Sequence, residues 1–200
     1  MEMKKGLLIV MSGPSGVGKG AVRRTLMEDK TLDLVYSVSM TTRKPRPTET
    51  NGGDYFFVSD EEFNEHVKNG DFLEHASFVG NQYGTPKKYV DDLRNNGKNV
   101  LLEIEVQGAK QVLETCKKNN EDLVSIFLFP PSMAALEKRI RKRRTEPEDV
   151  IQARLRKARS ELGELKNYKY PVLNDIVQRA ADEIKDIIAS EIKMNENKGE

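Results

Sequence analysis

The sequence is poor in cysteine, has no excess of either charge and contains no long apolar run. Its single thiol, Cys116, excludes an internal disulfide framework and fits a reducing compartment. Cys116 falls in a predicted helix over 107–118, where an inert packing role is the expectation. Lys and Arg total 33 against 32 for Asp and Glu, a net charge of +1. A generic nucleic-acid binder would carry a basic excess, so nucleic acid is not expected as a partner. No apolar stretch approaches the ~20 residues that cross a bilayer. Residues 1–6 lead into a strand pattern without the apolar segment and cleavage site of a signal peptide. A cytoplasmic protein without membrane association is expected. Internal repeats and low-complexity segments are absent too, and 200 residues suit one compact domain with an insertion or two.

What is present is organised around one stretch near the amino end. Leu7-Leu8-Ile9-Val10-Met11 reads as a buried strand and 21–29 as a helix. Between them, Gly13-Pro14-Ser15-Gly16-Val17-Gly18-Lys19-Gly20 forms a glycine-punctuated loop. Strand, Gly-x-x-x-x-Gly-Lys loop and helix make the phosphate-cradling arrangement. The glycines let the backbone curl until successive N–H groups converge on one anion. The helix N-terminus adds partial positive charge and Lys19 a full one. Gly20 stands where the usual pattern has Ser or Thr to ligate Mg²⁺. No direct protein ligand for a metal is therefore expected at the loop; nucleotide phosphates, water and groups elsewhere must hold it.

Beyond the loop, Leu34–Ser39 is a second strand candidate. A stiff basic run, Thr41-Thr42-Arg43-Lys44-Pro45-Arg46-Pro47, leads to a turn at 51–54 and an extended 55–58. Ser59 and Glu62 form a capping box for a helix that Gly70 closes, and 72–79 is extended again. Residues 37–86 read as a small mixed insertion outside the main sheet. Alternation then resumes: helix 87–96, strand 100–106, helix from 107, strand 123–129, helices 133–143 and 147–168, strand 172–173 and helix 176–192. The predicted fold class is α/β, a mostly parallel sheet with helices on both faces. The core is expected in 1–36, 87–132 and 169–194, with 133–168 packed beside it and a frayed polar tail at 195–200.

Eight signatures, in this order and spacing, resemble one family. They are the loop at 13–20; Ser37-Val38-Ser39 with Thr41-Thr42-Arg43 and Pro45-Arg46-Pro47; Asp54-Tyr55; Glu74; Gly80-Asn81-Gln82-Tyr83-Gly84-Thr85; Glu103-Ile104-Glu105-Val106-Gln107-Gly108; Pro130-Pro131-Ser132; and Val172-Leu173-Asn174-Asp175. Together they resemble the guanylate kinases, which move the γ-phosphoryl of ATP onto GMP. The similarity runs from Gly6 to about Ile192. It implies a P-loop NTPase-type sheet, a nucleoside-monophosphate-binding insertion at 37–86 and a helical lid with its connecting helix at 133–168.

The resemblance also implies roles. Guanine offers donors at N1 and N2 and an acceptor at O6. Glu74 matches the carboxylate that takes the donors, and Ser39 and Thr85 match hydroxyls beside the base. Arg43 and Arg46, with the phenols of Tyr55 and Tyr83, match the grip on the GMP phosphate, where guanidinium forks suit phosphate oxygens. Glu49 reads as an ion-pair partner that orients an arginine. Glu103 and Glu105 end a strand on one face, replacing the family's usual Asp-x-Asp. The first would reach the metal through water and the second would lie near guanine.

Residues 138–144 hold six cations in seven positions, a run that reads as a nucleic-acid patch, a solvated helix face or the start of the lid. The family match favours the lid. Arg139, Arg143 and Arg154 then close on the phosphates and join Lys19 and Arg43 as catalytic cations. Asn174 matches an adenine-side contact, completing an ATP site with Gly13 to Gly20. Arg144 departs from the family's glycine, and Ala21 from its Ser or Thr, which would weaken ATP binding. The expected reaction converts ATP and GMP to ADP and GDP with Mg²⁺, dGMP serving as a further acceptor, within purine nucleotide metabolism. Two rivals carry part of the same pattern: a non-catalytic guanylate-kinase-like protein-binding module and a P-loop kinase for another monophosphate. No signature of oligomeric state is present.

Overall fold

The computed structural model describes residues 4–78, 80–143 and 147–197, with Phe78 and Arg143 placed by backbone alone. The first half of the chain holds β1 (Leu8–Ser12), α1 (Lys19–Glu28), β2 (Leu34–Tyr36), β3 (Met40–Thr41), β4 (Phe56–Phe57), α2 (Asp60–Asn69), β5 (Phe72–Phe78) and β6 (Asn81–Pro86). Then come α3 (Lys87–Asn95), β7 (Asn99–Glu103), α4 (Val106–Asn119), β8 (Val124–Phe129) and α5 (Met133–Arg143). The chain continues through α6 (Glu148–Leu162), a 3₁₀ turn (Gly163–Asn167), β9 (Tyr170–Leu173) and α7 (Val177–Asn197).

β1 is buried along its whole length because apolar layers lie on both its faces. Leu8 and Val10 join one cluster with Val100, Leu102, Val112 and Phe127. Ile9 and Met11 join the other with Val22, Leu26, Leu128 and Ile184. This period-two division is what a parallel strand covered on both faces demands. The main sheet runs β2-β7-β1-β8-β9 and all its pairings are parallel. In such a sheet ligands collect at the carboxyl ends of the strands, and the 13–20 loop leaves β1 there.

The insertion has a sheet of its own, ordered β4-β3-β6-β5. β3 pairs β4 in parallel, while β6 is antiparallel to both β3 and β5. α2 anchors this layer by stacking Phe63 on Phe72, ring centroids 4.7 Å apart. Its start is capped as expected, Ser59 Oγ accepting the Glu62 N–H at 3.1 Å, and Gly70 closes it at φ 70°.

Several boundaries differ from the sequence expectation: β2 ends at Tyr36, not 39, α6 gives way to the 3₁₀ turn after Leu162, and β9 begins at Tyr170, not 172. β7 stops at Glu103, not 106, and Glu105 becomes the N-cap of α4 as its carbonyl accepts the Ala109 N–H at 2.9 Å. Glu103 and Glu105 therefore belong to a strand end and a helix cap, not to one strand face. α7 extends to Asn197, through the first half of the expected tail. Asn195 Nδ2 donating to Lys5 O at 3.2 Å and Lys4 Nζ to Glu196 O at 2.9 Å hold that end against the amino-terminal segment. Residues 198–200 lie outside the described residues. Cys116 is buried and its thiol is pushed up to about 11 by burial, as an inert packing residue requires. Among the described residues no helix is long and apolar enough to cross a membrane.

Candidate active site

Gly13, Gly16 and Gly18 hold φ of 145°, 86° and 107°, which curls the loop around its own amides. Lys19 Nζ reaches back across the loop to donate to Gly13 O at 2.6 Å. Desolvation lowers the Lys19 pKa, while Glu105, Glu103 and Glu161 pull it the other way. Asn174, at the end of β9, is 1 % exposed and donates from Nδ2 to Val17 O at 2.8 Å. Its Oδ1 is a buried acceptor without a hydrogen-bond partner. Arg139 on α5 donates to Val17 O at 3.0 Å and to Asn174 O at 2.8 Å, stitching the loop to the β9–α7 turn. The resemblance puts this guanidinium on phosphate; here it holds backbone carbonyls.

Beside the loop lies a cleft of about 280 Å³, lined by Lys19, Tyr36, Ser39, Tyr55, Glu74, Ala76, Tyr83, Glu103, Ile104 and Glu105. Side chains from both sheets therefore face one space. Glu74 on β5 is 6 % exposed and accepts from Thr85 Oγ1 on β6 at 2.7 Å. Burial pushes the Glu74 carboxyl up to about 7, opposed by the Thr85 hydrogen bonds. Arg43 Nη2 donates to both oxygens of Glu49, at 2.8 and 2.9 Å, and its guanidinium stands 5.4 Å from the Tyr55 ring centroid. Arg46 is more exposed, its N–H donating to Glu49 Oε2 at 2.8 Å. Glu49 thus gathers both arginines. Tyr55 and Tyr83 meet edge to face at 6.0 Å.

α6 reaches both the loop and one carboxylate of the cleft. Arg154 Nη2 donates to Ser15 Oγ at 2.9 Å, and one turn on Lys157 Nζ donates to Glu105 Oε2 at 2.9 Å. Lys157 also lies 3.5 Å from Glu161 Oε1. Burial raises the Glu105 carboxyl, but Lys19 and Lys157 outweigh it and hold the group below the ordinary range. The Arg143 side chain and all of Arg144 lie outside the described residues.

Glu103 pairs with Arg23, whose Nε sits 2.7 Å from Oε2 but off the N–H axis, and Arg23 covers the Tyr36 ring at 4.2 Å. A Cβ at Gly20 would lie 3.5 Å from Glu103 Oε1, so this carboxylate borders the position where related loops carry a hydroxyl. Among the described residues no group of three or more His, Cys, Asp or Glu is gathered to hold a metal.

A family model described as guanylate kinase matches residues 5–191. The chain belongs to the guanylate kinase family. A guanylate kinase from Mesoplasma florum is 54% identical over 187 residues, 94% of this chain and 62% of that longer protein. One from Latilactobacillus sakei subsp. sakei is 52% identical over 187 residues, covering 94% and 90%. The crystal structure of guanylate kinase from Anaplasma phagocytophilum superposes with a TM-score of 0.73 at 35% identity, covering 94% of this chain and 87% of that one.

In this guanylate kinase family member, residues named from motifs do converge: Lys19, Ser39, Tyr55, Glu74, Tyr83, Glu103 and Glu105 line one cleft, and Thr85 backs it. The sequence suggests no site role for four further neighbours. Arg23 follows Lys19 by one helical turn, and Lys157 follows Arg154 by three residues, so helical spacing carried a signal for each. Tyr36, whose phenol burial pushes well above its ordinary range, carried none, and Gly108 closed the 103–108 signature without a role of its own.

Proposed function

We propose that this chain transfers the γ-phosphoryl of ATP to GMP, giving ADP and GDP. The observation that carries the reading is Glu74, a nearly buried carboxylate held by Thr85 in the cleft that Lys19 also lines. Its free oxygen suits the N1–H and N2 amine of guanine. Adenine has neither donor and would leave a buried charge unpaired, and sites built on hydrogen bonds reject such misfits strongly. Ser39 lines the same pocket as a hydroxyl partner for the base, and Glu105 lines it too.

Arg43, oriented by Glu49, takes the acceptor phosphate together with Arg46, Tyr55 and Tyr83. That phosphate is mostly dianionic near neutral pH, its second pKa being near ~6. Its oxygen attacks Pγ as the bond from Pγ to the β-bridging oxygen breaks, so no general base is assigned. Gly13 to Gly20 cradle the donor phosphates with converging amides, and the unpartnered Oδ1 of Asn174 suits the adenine amine. Lys19 neutralises charge on the transferring group, and Arg154, Arg139 and Arg143 belong to the lid that shields it from water. The donor set suits Mg²⁺ carried on the phosphates, since Gly20 offers no ligand and the Glu103 carboxylate beside it would reach such an ion through water. Bound there, the ion would neutralise charge on the donor phosphates. Donor binding is assigned to 1–36, 87–132 and 169–194, acceptor binding to 37–86 and closure to 133–168.

An ADP-release assay with Mg²⁺-ATP and GMP, dGMP, AMP or UMP tests this. Turnover is expected with GMP and dGMP, with kcat/KM for AMP and UMP lower by about 10²-fold or more. No turnover with any acceptor would indicate a binding module. Preference for AMP or UMP would indicate a different kinase.

A further inference from the structure

Gly108 is the third residue of α4, and its φ lies outside the left-handed region that favours glycine. Glycine inside a helix is less favourable than alanine, because it loses more backbone freedom on folding. Space is what demands it here. A Cβ at position 108 would overlap Glu74 Oε2 outright and stand 2.9 Å from Glu74 Cδ and 3.3 Å from Cγ. All three of the nearest atoms belong to that one side chain.

Neither partner can step aside freely. Glu74 is pinned through its other oxygen by Thr85 Oγ1 at 2.7 Å, so swinging Oε2 away gives up that bond. α4 is pinned as well. Val106, Ala109 and Val112 are buried in the core against β1 and β7. One turn on, Gln111 Nε2 donates to His75 O at 2.9 Å, and Gln111 Oε1 accepts the His75 N–H at 3.2 Å. That side-chain clasp fixes the spacing between α4 and β5 at the residue next to Glu74.

We infer that Gly108 determines purine specificity without touching substrate. By carrying no side chain it reserves the space that the Glu74 carboxylate occupies, and so maintains selection of a 2-amino-6-oxopurine over a 6-aminopurine. The inference rests on the Glu74 assignment made above, and Gly108 acts as a positioning residue for it.

Gly108→Ala tests this beside Glu74→Gln and the pair Glu74→Ala and Glu74→Ala/Gly108→Ala. With one charge-assisted hydrogen bond lost or misplaced, G108A should raise KM for GMP about tenfold or more and lower the GMP-over-AMP preference equally. ATP affinity should stay within twofold, kcat at saturating GMP should fall by less than about threefold, and the G108A effect should vanish in the Glu74→Ala background. A folded G108A with KM for GMP within twofold of the parent, while Glu74→Gln is impaired, overturns the inference. If G108A fails to fold, the double variant decides: a thermal midpoint matching that of Glu74→Ala supports the clash with Glu74, and a lower one overturns it. If Glu74→Gln leaves GMP use unchanged, the fault lies in the Glu74 assignment itself.

Discussion

The phosphate loop and the neighbouring cleft are built by opposite means. The loop takes its shape from backbone: three glycines at positive φ, and carbonyls held by Lys19, Asn174 and Arg139. The cleft takes its shape from side chains that hold one another: Thr85 with Glu74, Arg43 with Glu49, Arg23 with Glu103, Lys157 with Glu105. Backbone amides have no protonation state to change near neutral pH. Carboxylates do, and ion pairs at an accessible surface are screened by salt. The proposed donor side should therefore be indifferent to conditions that alter the proposed acceptor side.

The largest effect should break the comparison at its one shared residue. Lys19→Met should lower kcat by about 10³-fold or more, because the cation proposed to neutralise the transferring group is lost. GMP affinity measured by calorimetry should stay within a few-fold. A comparable loss of GMP binding would mean that the two sides are not separable.

Glu74→Gln should come next, lowering the GMP-over-AMP ratio of kcat/KM by about 10²-fold. It should also remove a pH dependence. In the free protein Glu74 is neutral below about 7 and anionic above. In the proposed complex the anion accepts both guanine donors, so kcat/KM for GMP should rise with pH through that value and flatten in the variant. Stability runs the other way. Between the ordinary value of 4.5 and about 7 the folded chain holds a proton that the unfolded chain has released. Folding stability therefore falls as pH rises through that window, by roughly 3 kcal/mol for this group. Thermal melts should find Glu74→Gln more stable than the parent at pH 8 and equal to it near pH 4.

The donor side can be sharpened by Ala21→Thr. A hydroxyl added at this position should strengthen ATP binding by about tenfold, near the lower end of a hydrogen bond to a charged group, with KM for GMP unchanged. The smallest effect belongs to Lys157→Met. Lys157 and Glu105 side chains are 48% and 39% exposed, so solvent screens their pair and only a few-fold rise in KM for GMP is expected. That rise should fade as salt is added, whereas Lys157→Arg should keep the parental value.

The same contrast explains what was legible in the sequence. Strand, loop and helix around Lys19 lie within one continuous segment, so glycine spacing and apolar pattern sufficed for the loop and for the parallel sheet that carries it. The cleft draws on residues from 19 to 105, and beyond Lys19 the members assigned a role were recognised by family resemblance, not by pattern. Lys157 with Glu105, or Gly108 with Glu74, meet across tens of residues and leave no local periodicity. The end of β7 comes earlier than its pattern suggests because Ile104 and Val106 are β-branched and favour strand, while Glu105 turns the chain into the helix at its cap. The end of α7 was misplaced because its last turn is held by the amino-terminal segment, not by its own apolar face.

The most direct test of the central claim is kcat/KM for GMP relative to AMP, measured with Mg²⁺-ATP on the parent and on Glu74→Gln. The account predicts a parental preference for GMP of about 10²-fold or more that collapses towards unity in the variant. A parent that treats the two acceptors alike, or a variant that keeps the full preference, would contradict it.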